Sequence, residues 1–124
     1  MTFEYEIAIK NGFLDMEIKP NEKVTGYIGN ISGWLESDAE CFSEEYLTKI
    51  KEVLQSNGEK EELLWGNAYK ALIRKDTTTI SYDFEDGNPE MVPCTLPTEM
   101  LCEILEIWIK AYEEHREKTK RKEE

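Results

Sequence analysis

The sequence predicts an α+β fold: an antiparallel sheet of about five strands packed against two amphipathic helices. Three observations carry that reading. Residues 3–18 alternate apolar and polar side chains around an Asn-Gly pair. Residues 64–84 return to the same two-residue period. Residues 43–54 and 97–115 instead repeat their apolar side chains three and four positions apart. Period two is the signature of a half-buried strand, and the three-four spacing that of a helix with one buried face. Neither element can cover its own apolar face, so helices on a sheet are the economical solution.

The first hairpin is specified down to its register. Phe3, Tyr5, Ile7 and Ile9 alternate with Glu4, Glu6, Ala8 and Lys10, and Leu14, Met16 and Ile18 alternate with Asp15, Glu17 and Lys19. Asn11-Gly12 tolerates the positive φ angles of a type I′ turn. A two-residue turn sets Lys10 against Phe13, Ile9 against Leu14, Ile7 against Met16 and Tyr5 against Ile18. The opposite face then sets Glu6 against Glu17 and Glu4 against Lys19. A slip of one residue would destroy this match.

Pro20-Asn21 ends the hairpin. Val24, Tyr27, Ile28, Ile31, Trp34 and Leu35 follow, interrupted by Gly26, Gly29 and Gly33. Each glycine inside a helix costs about 1 kcal/mol, so a loop with a short strand near 27–35 is expected. Ser43 is a good N-cap, with Glu44 and Glu45 suited to the first turn. Tyr46, Leu47, Ile50, Val53 and Leu54 form the buried face of the helix that follows, and Asn57-Gly58 stops it.

From Leu64 the chain alternates again, placing Trp65, Asn67, Tyr69, Ala71 and Ile73 on one face. A turn at Lys75-Asp76 brings Ala71 opposite Ile80 and Tyr69 opposite Tyr82, a good cross-strand match. Residues 91–95 read as a short edge strand, because Pro93 has no N–H for a ladder. Pro97 opens the long helix, with Leu101, Ile104, Leu105, Trp108 and Tyr112 as its stripe. The expected organisation is one domain over residues 1–112, then a charged helix end fraying into a tail over 113–124.

Composition narrows the function. With 124 residues and 40 % hydrophobic side chains, the chain can fold around one core. No apolar run approaches the roughly 20 residues of a membrane span, and the N-terminus has no signal-peptide pattern. Cys41, Cys94 and Cys102 are odd in number and lack CxxC spacing, so reduced thiols in a cytoplasmic protein are expected. The net charge is −12, from 27 acids against 15 bases. That sign opposes direct nucleic-acid binding, which needs Lys and Arg for phosphate, and suits a basic partner.

A catalytic constellation is missing. His115 is the single histidine and lies in the charged tail, out of reach of a nucleophile. Cys94 and Cys102 do not have metal-ligand spacing. Gly26, Gly29 and Gly33 form neither a dinucleotide fingerprint nor a P-loop. Asp83 with Glu85 imitates a paired-carboxylate site, but residues two apart on a strand share an open face. Asp83, Glu85 and Asp86 lack the ligand spacing of a calcium loop. The expectation is a protein that is not an enzyme and needs no cofactor or metal.

Two acidic stretches contain no base: Glu36, Asp38, Glu40, Glu44 and Glu45, and Asp83, Glu85, Asp86 and Glu90. With Trp34, Tyr82 and Phe84 as aromatic anchors, either could bind a basic surface. Acidic runs also serve simply as solvated faces, and aromatic residues as core. The segments Trp65-Gly-Asn-Ala-Tyr69, Ile80-Ser-Tyr-Asp-Phe-Glu85 and Cys94-Thr-Leu-Pro-Thr-Glu-Met-Leu-Cys-Glu-Ile-Leu-Glu-Ile-Trp108 resemble the C-terminal half of small bacterial immunity proteins. These belong to contact-dependent growth inhibition and related polymorphic toxin systems. The resemblance covers about residues 63–112. It implies a cytoplasmic inhibitor that binds a cognate toxin domain, a basic nuclease, and covers its active or substrate-binding cleft. An acidic adaptor or structural subunit with another basic partner, or a small-ligand-binding module, is the alternative.

Overall fold

The computed structural model describes residues 3–84 and 89–123, leaving aside the side chains of Cys41 and of 119–123. Six strands and three helices form in the order β1 (Tyr5–Lys10), β2 (Phe13–Ile18), α1 (Gly29–Trp34), a π-helical segment (Leu35–Ala39), α2 (Glu40–Gln55), β3 (Glu62–Trp65), β4 (Tyr69–Ile73), β5 (Thr77–Tyr82), β6 (Cys94–Pro97) and α3 (Thr98–Glu123). The strands form two antiparallel sheets, the β1–β2 hairpin and a four-stranded sheet in the order β3-β4-β5-β6. The α+β class holds, while the expected single sheet of about five strands is divided.

The hairpin register is the one set by its alternation, from Tyr5 opposite Ile18 to Lys10 opposite Phe13. Asn11 and Gly12 both take positive φ, as the type I′ turn requires. The two strands are buried unequally. Leu14, Met16 and Ile18 of β2 enter the core, while Ile7 and Ile9 of β1 remain exposed. The Ser32 hydroxyl donates to the Met16 carbonyl, fixing α1 against β2.

Residues 29–55 form one helical run instead of the expected loop and short strand. The glycines are there for close approach. A Cβ on Gly33 would lie 2.6 Å from Cζ of Tyr69, and one on Gly29 would lie 2.6 Å from the Tyr27 ring. Tertiary packing of Ile31, Trp34 and Leu35, each fully buried, outweighs the propensity cost. Gly26 takes positive φ where a side chain would collide with the Pro93 carbonyl. Its neighbour Thr25 exchanges two backbone hydrogen bonds with Thr95, both at 2.9 Å, and so covers the outer edge of β6.

The helical run bends twice, through the wider π turn at 35–39 and at Phe42, whose φ of −130° and ψ of 25° leave the helical region. Ser43 therefore lies inside α2 and does not cap it. The exit is as expected: α2 ends at Gln55 and Gly58 takes positive φ.

The region read as one strand from Leu64 to Ile73 is two. β3 pairs with β4 across a turn at 66–68, with Leu64 opposite Ala71. β4 and β5 keep the expected register, Ala71 opposite Ile80 and Tyr69 opposite Tyr82. The edge strand β6 sits slightly later than expected, with Cys94 opposite Ile80. One face of this sheet, carrying Leu64, Tyr69, Ala71, Ile73, Ile80 and Leu96, is buried. Trp108 and the Leu101–Leu105 stripe of α3 fill the same core, and α3 continues past Tyr112 to Glu123.

Candidate protein-binding surface

The acids of 36–45 do not share a face, and the π turn is the reason. Its wider winding sends Asp38 inward while Glu36 and Glu40 stay at the surface. Asp38 is fully buried and acts as an internal staple. Its carboxyl oxygens accept the backbone N–H groups of Ala68 and Tyr69, each at 3.0 Å, and the Ser37 hydroxyl at 2.8 Å. Asn67 returns the contact by donating to the Ser37 carbonyl at 2.9 Å. Trp34 is also fully buried, stacked on Tyr46 with ring centroids 5.8 Å apart. The expectation that Asp38 and Trp34 contact a partner is corrected: both are spent on holding α1 and the π turn to the rest of the protein.

The remaining acids of this stretch line three adjoining depressions. The first, about 480 Å³, lies between the hairpin tip, the π turn and α3, and is walled by Lys10, Phe13, Glu36, Glu40, Trp108 and Tyr112. The second, about 350 Å³, runs between the start of α2 and α3 and adds Phe42, Glu44, Glu45, Glu113 and Arg116. The third, about 320 Å³, lies between α2 and β3 and adds Lys49, Leu63 and Trp65. Glu40 and Tyr112 border the first two, and Phe42 and Glu45 border the second and third, so the three lie side by side along one surface.

Within the first depression, Lys10 pairs with Asp15 at 3.0 Å. Glu36 faces the same Asp15. Burial, then the hydrogen bond to Asp15, pushes the Glu36 carboxyl up to about 7. Asp15 is held below the usual range, first by that hydrogen bond and then by Lys10. The two shifts run in opposite directions, as expected of neighbouring carboxyl groups that repel when both are charged. The Tyr112 hydroxyl donates to Glu40 at 3.2 Å, joining α3 to the start of α2. Five carboxyl groups and three bases line the three depressions. Two of those bases are committed within the chain, Lys10 to Asp15 and Lys49 to Glu45 at 3.6 Å.

Sequence reasoning missed the aromatic part of this surface. Phe13 is 69 % exposed, Trp65 65 % and Phe42 46 %. Trp65 was expected on the face of Tyr69 and Ala71. The turn at 66–68 reverses the chain and puts Trp65 opposite Lys70, on the outer face. Phe42 is turned out by the kink, for which the sequence carries no local signal.

The second acidic stretch is more scattered. Asp83 accepts the Trp65 indole N–H at 2.7 Å and pairs with Lys70 at 3.2 Å, whose ammonium lies 5.2 Å from the Trp65 ring centroid. These contacts, Trp65 first, hold the Asp83 carboxyl below its usual range. Phe84 and Glu90 are exposed, and Phe84 packs edge-on to Tyr82. Glu85 and Asp86 lie outside the described residues.

Among the described residues, no group of three or more His, Cys, Asp or Glu side chains is placed to hold a metal ion. No described helix is long and apolar enough to cross a membrane. No protein-family model, curated protein or solved structure matches the chain.

Proposed function

We propose that this protein is an immunity protein, which binds a basic nuclease domain of a toxin and covers its active or substrate-binding cleft. The observation that supports it best is the row of three adjoining depressions lined by Glu36, Glu40, Glu44, Glu45 and Glu113, with Phe13, Phe42 and Trp65 exposed beside them. Aromatic anchors beside a predominantly acidic lining suit an inhibitor of a basic protein. Opposite charge across an interface raises association toward ~10⁸ M⁻¹s⁻¹, and a nuclease must be stopped before it turns over. The acids would occupy the positions on the toxin that otherwise receive phosphate. The nuclease as partner class follows from the resemblance of residues 63–112 to such immunity proteins. Of the two acidic stretches, 36–45 is favoured because Glu36, Glu40, Glu44 and Glu45 line adjoining depressions, whereas Asp83 and Glu90 line none of the three.

The test is direct. The protein is mixed with the product of the gene immediately upstream of its own, and complex formation and residual nuclease activity are measured. Changing Glu36, Glu40, Glu44 and Glu45 together to Lys moves the net charge from −12 to about −4. Association should slow by roughly 10- to 1,000-fold and lose most of its salt dependence. Unchanged kinetics would remove this surface from the interface.

A further inference from the structure

The outer edge of β1 carries few of the devices that keep a strand from pairing, Glu6 and Lys10 being its two charged side chains. Such edges are normally shortened, bulged, interrupted by proline, charged in the middle or covered by another segment. β1 runs six residues from Tyr5 to Lys10 without bulge or proline, and its lysine stands at the last position. Among the described residues no strand pairs with its outer edge. By contrast, Thr25 covers the outer edge of β6, and the Ser32 hydroxyl occupies the Met16 carbonyl of β2.

The two-residue turn settles which backbone groups are available. Lys10 and Phe13 flank it as a hydrogen-bonded pair, and Lys19 N–H donates to the Glu4 carbonyl at 3.0 Å. Glu4, Glu6, Ala8 and Lys10 therefore turn their backbone groups toward β2. By alternation, Tyr5, Ile7 and Ile9 turn theirs outward. Ile7 and Ile9 are also 38 % and 51 % exposed at the side chain.

We infer that β1 is a self-association edge: it pairs antiparallel with β1 of a second copy about a two-fold axis through Ile7, joining two hairpins into one four-stranded sheet. The occupant is identified by self-complementarity. With Ile7 opposite Ile7, every outward N–H and C=O of Tyr5, Ile7 and Ile9 meets its counterpart. Tyr5 then faces Ile9, apolar against apolar, and Glu4 faces Lys10, a base it would share with Asp15 of the same hairpin. A two-fold interface requires this reciprocity, because each patch must recognise itself. Repulsion between two acidic copies is confined by salt to about 8 Å, while the Glu4–Lys10 contacts act at short range. This association does not depend on the toxin-binding reading, and it meets the first depression only at Lys10.

The experiment compares wild type, Ile7→Lys and Ile7→Cys by sedimentation velocity, circular dichroism and thermal melting. Wild type should sediment with twice the chain mass. Ile7→Lys places two ammonium groups together on the axis and should sediment as a monomer with an unchanged spectrum. Ile7→Cys should form a disulfide-linked dimer under mild oxidation that wild type does not form. If Ile7→Lys fails to fold, the Ile7→Cys crosslink decides alone. A wild-type monomer at its highest soluble concentration, a folded Ile7→Lys dimer, or no crosslink at position 7 would each overturn the inference.

Discussion

Replacing Asp38 with alanine removes an acceptor that two elements distant in sequence both use. The Ala68 and Tyr69 N–H groups, each bonded to Asp38 at 3.0 Å, lose their partners. Asp38 is fully buried and Tyr69 nearly so, so water cannot replace the acceptor of the Tyr69 N–H without opening the structure, while the half-buried Ala68 N–H falls at the low end of the cost. Each buried backbone donor left unsatisfied costs about 1–3 kcal/mol. Together the two should destabilise the fold by about 4 kcal/mol, a large part of the ~5–15 kcal/mol typical of a domain. For a chain of this size that corresponds to a fall in Tm of about 15 °C. Asp38→Asn keeps one acceptor oxygen and should lose roughly half as much. Urea titration and calorimetry of wild type and both variants measure the effect. A loss below about 1 kcal/mol for Asp38→Ala would refute the staple, because it would mean that the 66–68 turn is held without it.

Other outcomes follow from single residues. Gly33→Ala should destabilise by about 1–2 kcal/mol in the same assays, since crowding of the Tyr69 ring, wedged edge-on against Tyr82, outweighs the ~1 kcal/mol of helix propensity gained. The raised pKa of Glu36, about 7 against 4.5, means that the folded state holds more protons than the unfolded state between those values. This group therefore favours folding below pH 4.5 and loses that contribution as pH rises through 7. The Tm of wild type minus that of Glu36→Gln should accordingly fall from pH 4.5 to pH 7.5. A flat difference would show that Glu36 is not desolvated against Asp15. Burial pushes the Cys94 and Cys102 thiols up to about 11 from 9.0, and both are free. Their thiolate fraction at neutral pH drops about a hundredfold, so peptide mapping after iodoacetamide treatment should find both unlabelled until the protein is denatured.

The parts of this fold that were legible in the sequence are those fixed by local chemistry. Asn11-Gly12 dictates a turn length, and that length dictates the whole β1–β2 register. Lys75-Asp76 does the same for β4 and β5, where Arg74 N–H donates to the Thr77 carbonyl. What escaped was decided at a distance. The 66–68 turn looks like continuing alternation until Asp38, some thirty residues earlier, is seen to hold its N–H groups. Residues 29–34 look too rich in glycine for a helix until Tyr27 and Tyr69 are seen occupying the space where side chains would be. The candidate surface divides likewise. Charge alone singles out 36–45, but only the π turn separates inward Asp38 from outward Glu36 and Glu40. Phe42 faces outward because of a kink that no residue nearby announces, while Trp65 does so because of a reversal whose local signal, Gly66-Asn67, interrupts an otherwise strand-like alternation.

The bend at 35–39 also sets how this protein can change. Its wider turn holds about one residue more than ordinary winding, and in a regular helix each residue added or removed rotates everything downstream by about 100°. A single deletion between Leu35 and Ala39 would be absorbed there: the turn would tighten to ordinary winding with Glu40, Glu44 and Glu45 kept near Tyr112 and α3, at the expense of the inward place of Asp38. The same deletion within α2 would find no such slack and would turn the residues beyond it off their face.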